Sequence, residues 1–210
     1  MASAQPRRGS QYHSVSIREV TRQPKNWSLF RQVARDSCGE TFEPGPSDHL
    51  MFLYIDTDYE KNKLVGVASY QVANKECEDK TQTDYYHVLN FLLIRSRHQG
   101  GGLGGQLLKR VENAMRRHVN RSVKLEAAYA AMKFFAKHGY NIVGDVMETV
   151  CPGSERFSRL YPMEKVVQEQ QHSSPRSSSQ QNINNKSIPA WKAKMQSKQM
   201  VVPDHLKLQN

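Results

Sequence analysis

Residues 94–105 read Ile94-Arg95-Ser96-Arg97-His98-Gln99-Gly100-Gly101-Gly102-Leu103-Gly104-Gly105. Five of the six positions from Gly100 onward are glycine. These glycines follow an apolar run that ends at Ile94 and precede a helical pattern that begins at Leu103. Unobstructed backbone N–H groups at a helix N-terminus bind anions, and the helix dipole adds partial positive charge there. The segment Gln99–Gly105, called the glycine loop below, is therefore predicted to bind a phosphate group.

The sequence after the loop changes from helical to extended patterns. The apolar residues from Leu103 to Val119 recur on one face of a helix of about four turns, which Asn120 and Arg121 end. The elements predicted beyond it are a short strand at Ser122–Ala127, a helix at Ala130–His138 with Gly139 as its C-terminal cap, and closing strands at Tyr140–Val150 and Arg159–Val167 around Pro152-Gly153.

The sequence before the loop predicts a strand, a helix and a meander. Proline at position 24 suits the first turn of a helix that carries Trp27, Phe30, Val33 and Ala34. The strands predicted here are Tyr12–Val20, Leu50–Asp56, Leu64–Val72 and Tyr85–Ile94. The order is β-α-β-β-β-α-β-α-β-β, which is a mixed α/β chain. We expect one folded domain at 12–167, a disordered N-terminus at 1–11 and a disordered basic tail, rich in Ser, Gln and Asn, at 168–210.

Three families of phosphate-binding loops compete for the glycine pattern. A Walker A loop is excluded because no Gly-Lys-Ser/Thr follows. The dinucleotide-binding pattern matches literally at Gly100, Gly102 and Gly105, with Glu126 ending a strand 21 residues later. Its context does not match, because a meander precedes the loop and only about 40 foldable residues follow Glu126, too few for a doubly wound sheet.

The third pattern, Gln/Arg-x-x-Gly-x-Gly/Ala, is met by Gln99, Gly102 and Gly104. It resembles the acetyl-CoA loop of the GNAT superfamily of N-acetyltransferases. The segment from Ala131 to Tyr140 is similar to that family's later helix motif. The resemblance covers about residues 12–167 and implies a central, mostly antiparallel mixed sheet of about seven strands flanked by helices.

The resemblance also implies a cofactor site. In this family the fourth and fifth strands splay apart, and the pantetheine arm of acetyl-CoA pairs with the fourth strand, which also donates an N–H to the thioester carbonyl. The residues matched to these roles are Leu92, Leu93 and Ile94 for the arm, and Gln99, Gly100, Gly101, Gly102, Leu103, Gly104 and Gly105 for the diphosphate. An uncharged amine then attacks the thioester directly, through a tetrahedral oxyanion.

The catalytic residues common in the family are not matched. Val88 stands where some members carry a glutamate base, Phe135 where many carry a tyrosine acid, and Ala128 where an asparagine is frequent. The remaining polar candidates are Tyr86 and Asn90, which share the Val88 face of a regular strand, and His87 on the other face. Histidine has a suitable intrinsic pKa, and asparagine could order a water molecule. We expect Tyr129 and Tyr140 to be packing residues.

The charge distribution and the cysteine content indicate which acceptor and which cellular compartment to expect. The net charge is +10, with ten acids against four lysines in 40–84 and seven basic residues against Glu112 in 95–121. The acidic segment overlaps hairpins that flank the family's acceptor site, which favours a cationic amine: a small amine, a lysine side chain or a protein N-terminus. Three dispersed cysteines suggest free thiols in the cytoplasm or nucleus. No metal site, membrane segment or secretory signal is expected, and the oligomeric state is left open.

Two further readings compete with an acetyltransferase. The first is an acyl-CoA-binding or scaffolding domain of the same fold with little or no activity, because of Val88, Phe135 and Ala128. The second is nucleic-acid binding through the basic residues, which we do not expect because no aromatic residues alternate with them.

Overall fold

The computed structural model describes residues 12–148, 157 and 159–166. Within these residues the chain forms eight strands and three α-helices. The elements in chain order are β1 Ser14–Val20, α1 Pro24–Cys38, β2 His49–Asp56, β3 Lys63–Gln71, β4 His87–Ile94, α2 Leu103–His118, β5 Val123–Ala128, α3 Tyr129–Lys137, β6 Asn141–Ile142, β7 Met147–Glu148 and β8 Arg159–Lys165. Short 3-10 turns at Thr83–Tyr85 and Ser96–His98 precede and follow β4.

The strands form one mixed sheet in the order β1-β2-β3-β4-β5-β8-β6, with β7 also pairing with β8. Every described pair is antiparallel except β4 with β5, which is parallel. Because parallel neighbours need a long crossover, α2 makes the connection between these two strands. The expected mixed, mostly antiparallel sheet flanked by helices is therefore confirmed.

Helices cover both faces of the sheet, so most strand residues are buried on either side. Helix α1 packs Phe30 and Val33 against Phe52 and Val67 on one face. Helices α2 and α3 pack on the other face, over a larger core that includes Leu53, Leu89, Leu107, Val111 and Phe135. We call these the α1 face and the α2 face. Alternation along each strand decides which face a side chain reaches.

The helix boundaries follow the local signals in the sequence. Helix α1 begins at Pro24 and ends before Gly39, whose φ of 88° is the left-handed conformation that glycine adopts without strain. Gly139, after α3, also has a φ of 88°, so the predicted cap is confirmed. No helix among the described residues is long and apolar enough to cross a membrane.

The prediction of one continuous strand at Tyr140–Val150 is wrong. Two separate two-residue strands, Asn141–Ile142 and Met147–Glu148, pair with β8 instead. Gly144 lies between them with a φ of 78°, which breaks the extended conformation. Pro152-Gly153, Cys151, the N-terminal segment 1–11 and the tail 168–210 lie outside the described residues.

A buried ion pair ties α2 to β8. Glu112 is 6% exposed, and the Lys165 Nζ lies 2.9 Å from each of its carboxylate oxygens. The Tyr140 hydroxyl donates to Glu112 Oε1 at 3.0 Å. Burial and the neighbouring carboxylate raise the pKa of Tyr140, so its hydroxyl stays protonated as the donor.

Candidate functional site

The sheet opens between its two central strands. Parallel pairing between β4 and β5 covers only His87 to Leu89 against Val123 to Leu125. Beyond this point β4 stays paired with β3 as far as Ile94, and β5 stays paired with β8 as far as Ala128. The two strands therefore diverge while each keeps its outer neighbour. We call this opening the β4–β5 cleft.

A β-bulge at Asn90 lies where the strands begin to diverge. Tyr70 of β3 pairs with Leu89 and Ser69 pairs with Phe91, so Asn90 is an extra residue on β4. Bulges bend the strand that carries them and increase its twist, which turns β4 away from β5. The bulge also places Asn90 and Phe91 on the α1 face, although they are adjacent in sequence. Because the bulge interrupts the alternation of side chains along β4, a regular strand pattern in the sequence does not predict it.

The predicted cofactor segment of β4 borders the cleft with its backbone. Leu92 packs into the core on the α2 face and Leu93 into the core on the α1 face. Ile94 is buried at the end of the strand. No described residue pairs with these three residues on the cleft side, so their peptide groups there can bind an extended ligand as an added strand would.

The glycine loop joins the end of β4 to the start of α2. Gly100 and Gly102 have φ values of 80° and 81°, and a Cβ at either position would meet nothing within 4 Å. Gly102 is the N-cap of α2, and no described side chain caps the helix. The first N–H groups of the helix, on Leu103, Gly104 and Gly105, thus lack acceptors in the preceding turn. The loop is open on its outer side and rich in free donors.

The remaining loop residues hold it in place. The Gln99 Nε2 donates to the Ile94 carbonyl at 2.8 Å, which fixes the loop to the strand end. Leu103 is buried in the core, so only its backbone is available to a ligand. A Cβ on Gly104 would lie 3.4 Å from Phe134, and one on Gly105 would lie 3.1 Å from His138. Gly105 therefore allows α2 to approach the end of α3 closely, whereas the distance at Gly104 is that of an ordinary contact. Gly101 is exposed.

Arg95, which lies just before the glycine loop, makes its contacts within the fold. Its guanidinium donates to the Leu64 carbonyl at 3.0 Å and pairs with Asp36. It joins the strand end to β3 and α1, and is not available to a ligand in this conformation. Arg97 is exposed, and no ion pair or hydrogen bond of its side chain occurs within the described part of the chain.

His87 is a structural residue, which argues against its predicted role as a base. It is 0% exposed on the α2 face. Its Nδ1 accepts from the Ala73 N–H at 2.9 Å, and its Nε2 donates to the Val119 carbonyl at 2.8 Å. Burial lowers the pKa of His87, which keeps the ring neutral. With both nitrogens bonded, the ring has no site left for an amine proton.

Tyr86 is also engaged. Its hydroxyl donates to the Lys80 carbonyl at 2.9 Å, and the Lys124 Nζ lies 3.3 Å from the centre of its ring. These contacts join the start of β4 to β5 and to the preceding loop, so the Tyr86 hydroxyl is already bonded in this conformation. Tyr129 and Tyr140 are the two tyrosines expected to be packing residues. Tyr140 is buried as expected, whereas Tyr129 is 72% exposed, so the expectation for Tyr129 is wrong.

Asn90 retains a free acceptor in a fixed orientation. Its Nδ2 donates to Asp48 Oδ2 at 3.0 Å, while no described residue donates to its Oδ1. Asp48 is 1% exposed and also accepts from Ser69, from Gln71 at 2.9 Å and from the Gly45 N–H at 2.9 Å. These four residues with Asp48 form what we call the Asp48 network. Burial alone raises the pKa of Asp48, but the hydrogen bonds together outweigh it and lower the pKa.

Glu126 is a residue that the sequence reasoning missed as a catalytic candidate. Val123, Leu125 and Ala127 of β5 are buried on the α2 face, so Glu126 points to the α1 face, as Asn90 does. It is the first residue of β5 beyond the last pair with β4, and its side chain is exposed. Asn90 and Glu126 thus border the inner end of the β4–β5 cleft from opposite strands. The sequence signal that could have identified Glu126 is the alternation of apolar and polar residues along β5.

Phe135 and Phe42 define the apolar surroundings. Phe135 is 8% exposed and packs against Phe134 and Tyr140. This position therefore lacks the hydroxyl that a tyrosine would provide. On the α1 face, Phe42 stacks on Phe91 with ring centroids 5.1 Å apart, and Phe157 contacts Phe42 edge-on at 5.1 Å. Phe91 follows Asn90, so aromatic rings border the polar network on that face.

Comparison with known proteins gives a family match and several structures with the same fold. The acetyltransferase (GNAT) domain family matches residues 22–167 of the chain. No curated protein gives a significant sequence match. Many solved structures share the fold, and three of them, all at low sequence identity, are described below.

The ribosomal-protein-S18-alanine N-acetyltransferase from Escherichia coli is 13% identical, with a TM-score of 0.58 over 77% of this chain and 99% of that chain. An Arabidopsis thaliana protein in complex with the bisubstrate analogue CoA-Ac-MVNAL is 17% identical, with a TM-score of 0.55 over 72% of this chain and 98% of that one. A GNAT-family acetyltransferase from Streptococcus pneumoniae is 20% identical, with a TM-score of 0.51 over 74% of this chain and 100% of that one.

Proposed function

The chain belongs to the acetyltransferase (GNAT) family, and on that premise we propose that it transfers an acetyl group from acetyl-CoA to a primary amine by direct attack in a ternary complex. The observation that carries the proposal is the β4–β5 cleft, which leads to an uncapped helix N-terminus. An unpaired strand edge and a set of free backbone N–H groups suit a long cosubstrate with an amide-containing arm and a diphosphate. Both features lie on one continuous segment, Leu92–Gly105.

The described residues fit acetyl-CoA. The open space at the Cβ positions of Gly100 and Gly102 leaves room for a bulky anion against the backbone. The N–H groups of Leu103, Gly104 and Gly105 would hold the diphosphate, and the peptide groups of Leu92–Ile94 would hold the pantetheine arm. Acetyl-CoA supplies an acetyl group activated as a thioester.

Asn90 and Glu126 are the side chains that we assign to the acceptor. A protonated alkylamine has a pKa near 10.4, so the site must remove a proton before the nitrogen can attack. Glu126 is the carboxylate at the cleft that no described residue neutralises, and we propose it as the base, directly or through a water molecule. Asn90 Oδ1 would accept a hydrogen bond from the amine and so orient it.

The acceptor that we propose is cationic before it reacts. Glu126 and the acidic loop that joins β3 to β4 favour a positive group. Not all of the acidic segment contributes, because the hairpin that contains Asp58 and Glu60 joins β2 to β3 at the edge where β4 ends, beside the glycine loop. Its carboxylates pair with His13 and Lys63. The relevant acids are Glu76, Glu78 and Asp84, in the loop that joins β3 to β4 at the opposite edge.

Three amines test the activity and the acceptor class. They are a peptide with a free α-amino group, the same peptide blocked at its N-terminus but carrying one lysine, and spermidine. Release of free thiol from acetyl-CoA, with mass spectrometry of the product, should show turnover with at least one of them. Saturable calorimetric binding of acetyl-CoA without thiol release above background for any amine would refute the activity and favour the scaffolding alternative.

Substitution of Glu126 tests the mechanism. General-base catalysis is worth about 10²–10⁴-fold, so Glu126→Gln should lower kcat by that order while leaving acetyl-CoA affinity unchanged. The matched control is Glu60→Gln, which removes an exposed carboxylate from the β2–β3 hairpin, outside the acids assigned to the acceptor, and should leave kcat within about twofold. Equal kcat values for the wild type and Glu126→Gln would remove Glu126 from the mechanism without affecting the proposed reaction.

A further inference from the structure

A second cavity lies on the α2 face, away from the β4–β5 cleft. Its volume is about 350 Å³, within the range of small-molecule sites. It lies between the C-terminal half of α2 and the strands β1, β2 and β3. Met51, Val72 and Ala114 give it an apolar surface. None of the residues assigned to acetyl-CoA or to the acceptor lines it. We call it the α2 cavity.

Helix α2 contributes an excess of positive charge to this cavity. Arg117 and His118 follow Arg110 by seven and eight residues, which places the three side chains on one face of the helix. In the described part of the chain, neither the Arg110 nor the Arg117 guanidinium takes part in an ion pair or a side-chain hydrogen bond. Ala114 lies one turn from each arginine, and its small side chain leaves the space between them open.

The strands on the opposite wall present groups that are already bonded to each other. His49 Nδ1 lies 3.0 Å from Glu19 Oε1, and the His49 ring stacks on Tyr70 at 5.3 Å between centroids. Burial and the Glu19 carboxylate raise the pKa of Tyr70, so its hydroxyl remains a neutral donor to Glu19. Glu19, the single carboxylate among the described lining residues, is therefore bonded to the strands, and it forms no ion pair with either arginine.

We propose that the α2 cavity binds a small organic anion, with a carboxylate or phosphate held between Arg110 and Arg117 and an apolar body against Met51, Val72 and Ala114. Guanidinium groups bind both kinds of anion through paired N–H donors. The two arginines lie two helical turns apart on one face, so both add positive charge around an anion held between them. The site is independent of the acetyl-transfer chemistry, because it shares no residue with it.

Calorimetric titration of the full chain with phenyl phosphate, benzoate and benzyl alcohol tests this site. Saturating CoA is present, so that the glycine loop is occupied. We expect at least one of the two anions to bind saturably and the neutral alcohol not to bind. The tighter of the two anions identifies the head group. Binding of neither anion at millimolar concentration would overturn the proposal, and so would equal binding of the alcohol.

Substitutions locate the binding. The double variant Arg110→Gln/Arg117→Gln should weaken the anion at least about tenfold, because it removes both charge-assisted contacts. The control is Arg116→Gln, an exposed arginine of the same helix that bonds Asn113, and it should stay within about twofold. Ala114→Leu fills the cavity while keeping both guanidiniums, and it should weaken the anion as well. Equal losses in the double variant and in Arg116→Gln would overturn the site, whether or not the chain binds CoA.

Discussion

The Asp48 network is where stability and catalysis are most closely coupled. The Asp48 carboxylate is almost fully buried and accepts four hydrogen bonds, one of which orients Asn90 at the bulge of β4. Asp48→Asn keeps the shape of the side chain but replaces one acceptor oxygen with an NH₂ donor. That group then faces donors from Gly45, Ser69, Gln71 or Asn90, and the negative charge is lost.

The loss of stability expected for Asp48→Asn follows from the number of hydrogen bonds that the substitution affects. An unsatisfied buried donor costs about 1–3 kcal/mol, and bonds to a charged acceptor are worth about 1.5–3 kcal/mol each. Because some donors can rotate to new partners, we expect Asp48→Asn to lower the free energy of unfolding by about 2–4 kcal/mol. We also expect kcat to fall at least about tenfold at saturating acetyl-CoA, because Asn90 loses its fixed orientation.

Urea denaturation and steady-state kinetics measure these two effects. Asp79→Asn is the control: Asp79 also accepts hydrogen bonds, from Thr81, but it lies on an exposed loop, so both quantities should change much less. A loss below about 0.5 kcal/mol for Asp48→Asn, with an unchanged kcat, would refute the reasoning, because the network would then neither stabilise the fold nor position Asn90.

Three further predictions concern buried charged and polar groups. His87→Leu leaves the Ala73 N–H and the Val119 carbonyl without partners, so urea denaturation should show a free energy of unfolding lower by about 2–4 kcal/mol. The pH profile of kcat should keep its shape, because both ring nitrogens of His87 are already hydrogen-bonded. Lys165→Met leaves Glu112 buried without its cation and should cost about 2–3 kcal/mol in the same assay, most of which Lys165→Met/Glu112→Gln restores. The pKa of Asp48 is lowered in the folded state, so its contribution to stability is complete above the ordinary value of 3.8 and is lost as pH falls through the folded value. The difference in free energy of unfolding between wild type and Asp48→Asn should therefore shrink on acidification below about pH 4.

Local signals in the sequence predicted the elements that frame the site. The start of α2 at Leu103 followed from the glycine loop and from the apolar period after it, and both are properties of neighbouring residues. The start of α1 at Pro24 and the glycine cap at Gly139 were predicted for the same reason. These features need no information about distant parts of the chain, because backbone conformation and helix capping are set within a few residues.

Features that depend on pairing across the sheet could not be predicted. The bulge at Asn90 exists because β3 and β4 pair with an offset, and nothing in the run His87–Ile94 marks it. Asp48 follows a Pro-Gly-Pro-Ser loop and has the sequence context of an exposed turn; only its contacts with Ser69 and Asn90 account for its burial. Two-residue strands such as Asn141–Ile142 have no period of their own, so their existence depends on β8.

The central claim is that the glycine loop binds acetyl-CoA through backbone N–H groups, and Gly102→Ala tests it most directly. A Cβ at Gly102 meets no protein atom within 4 Å, so the fold can accept it at the cost of the left-handed conformation, about 1–2 kcal/mol. Gly39→Ala is the matched control, because Gly39 has the same left-handed φ and the same open surroundings, and lies outside the loop. Calorimetry with acetyl-CoA should show at least about tenfold weaker binding for Gly102→Ala and wild-type binding for Gly39→Ala. Undiminished binding by folded Gly102→Ala, or equal losses in the two variants, would contradict the claim.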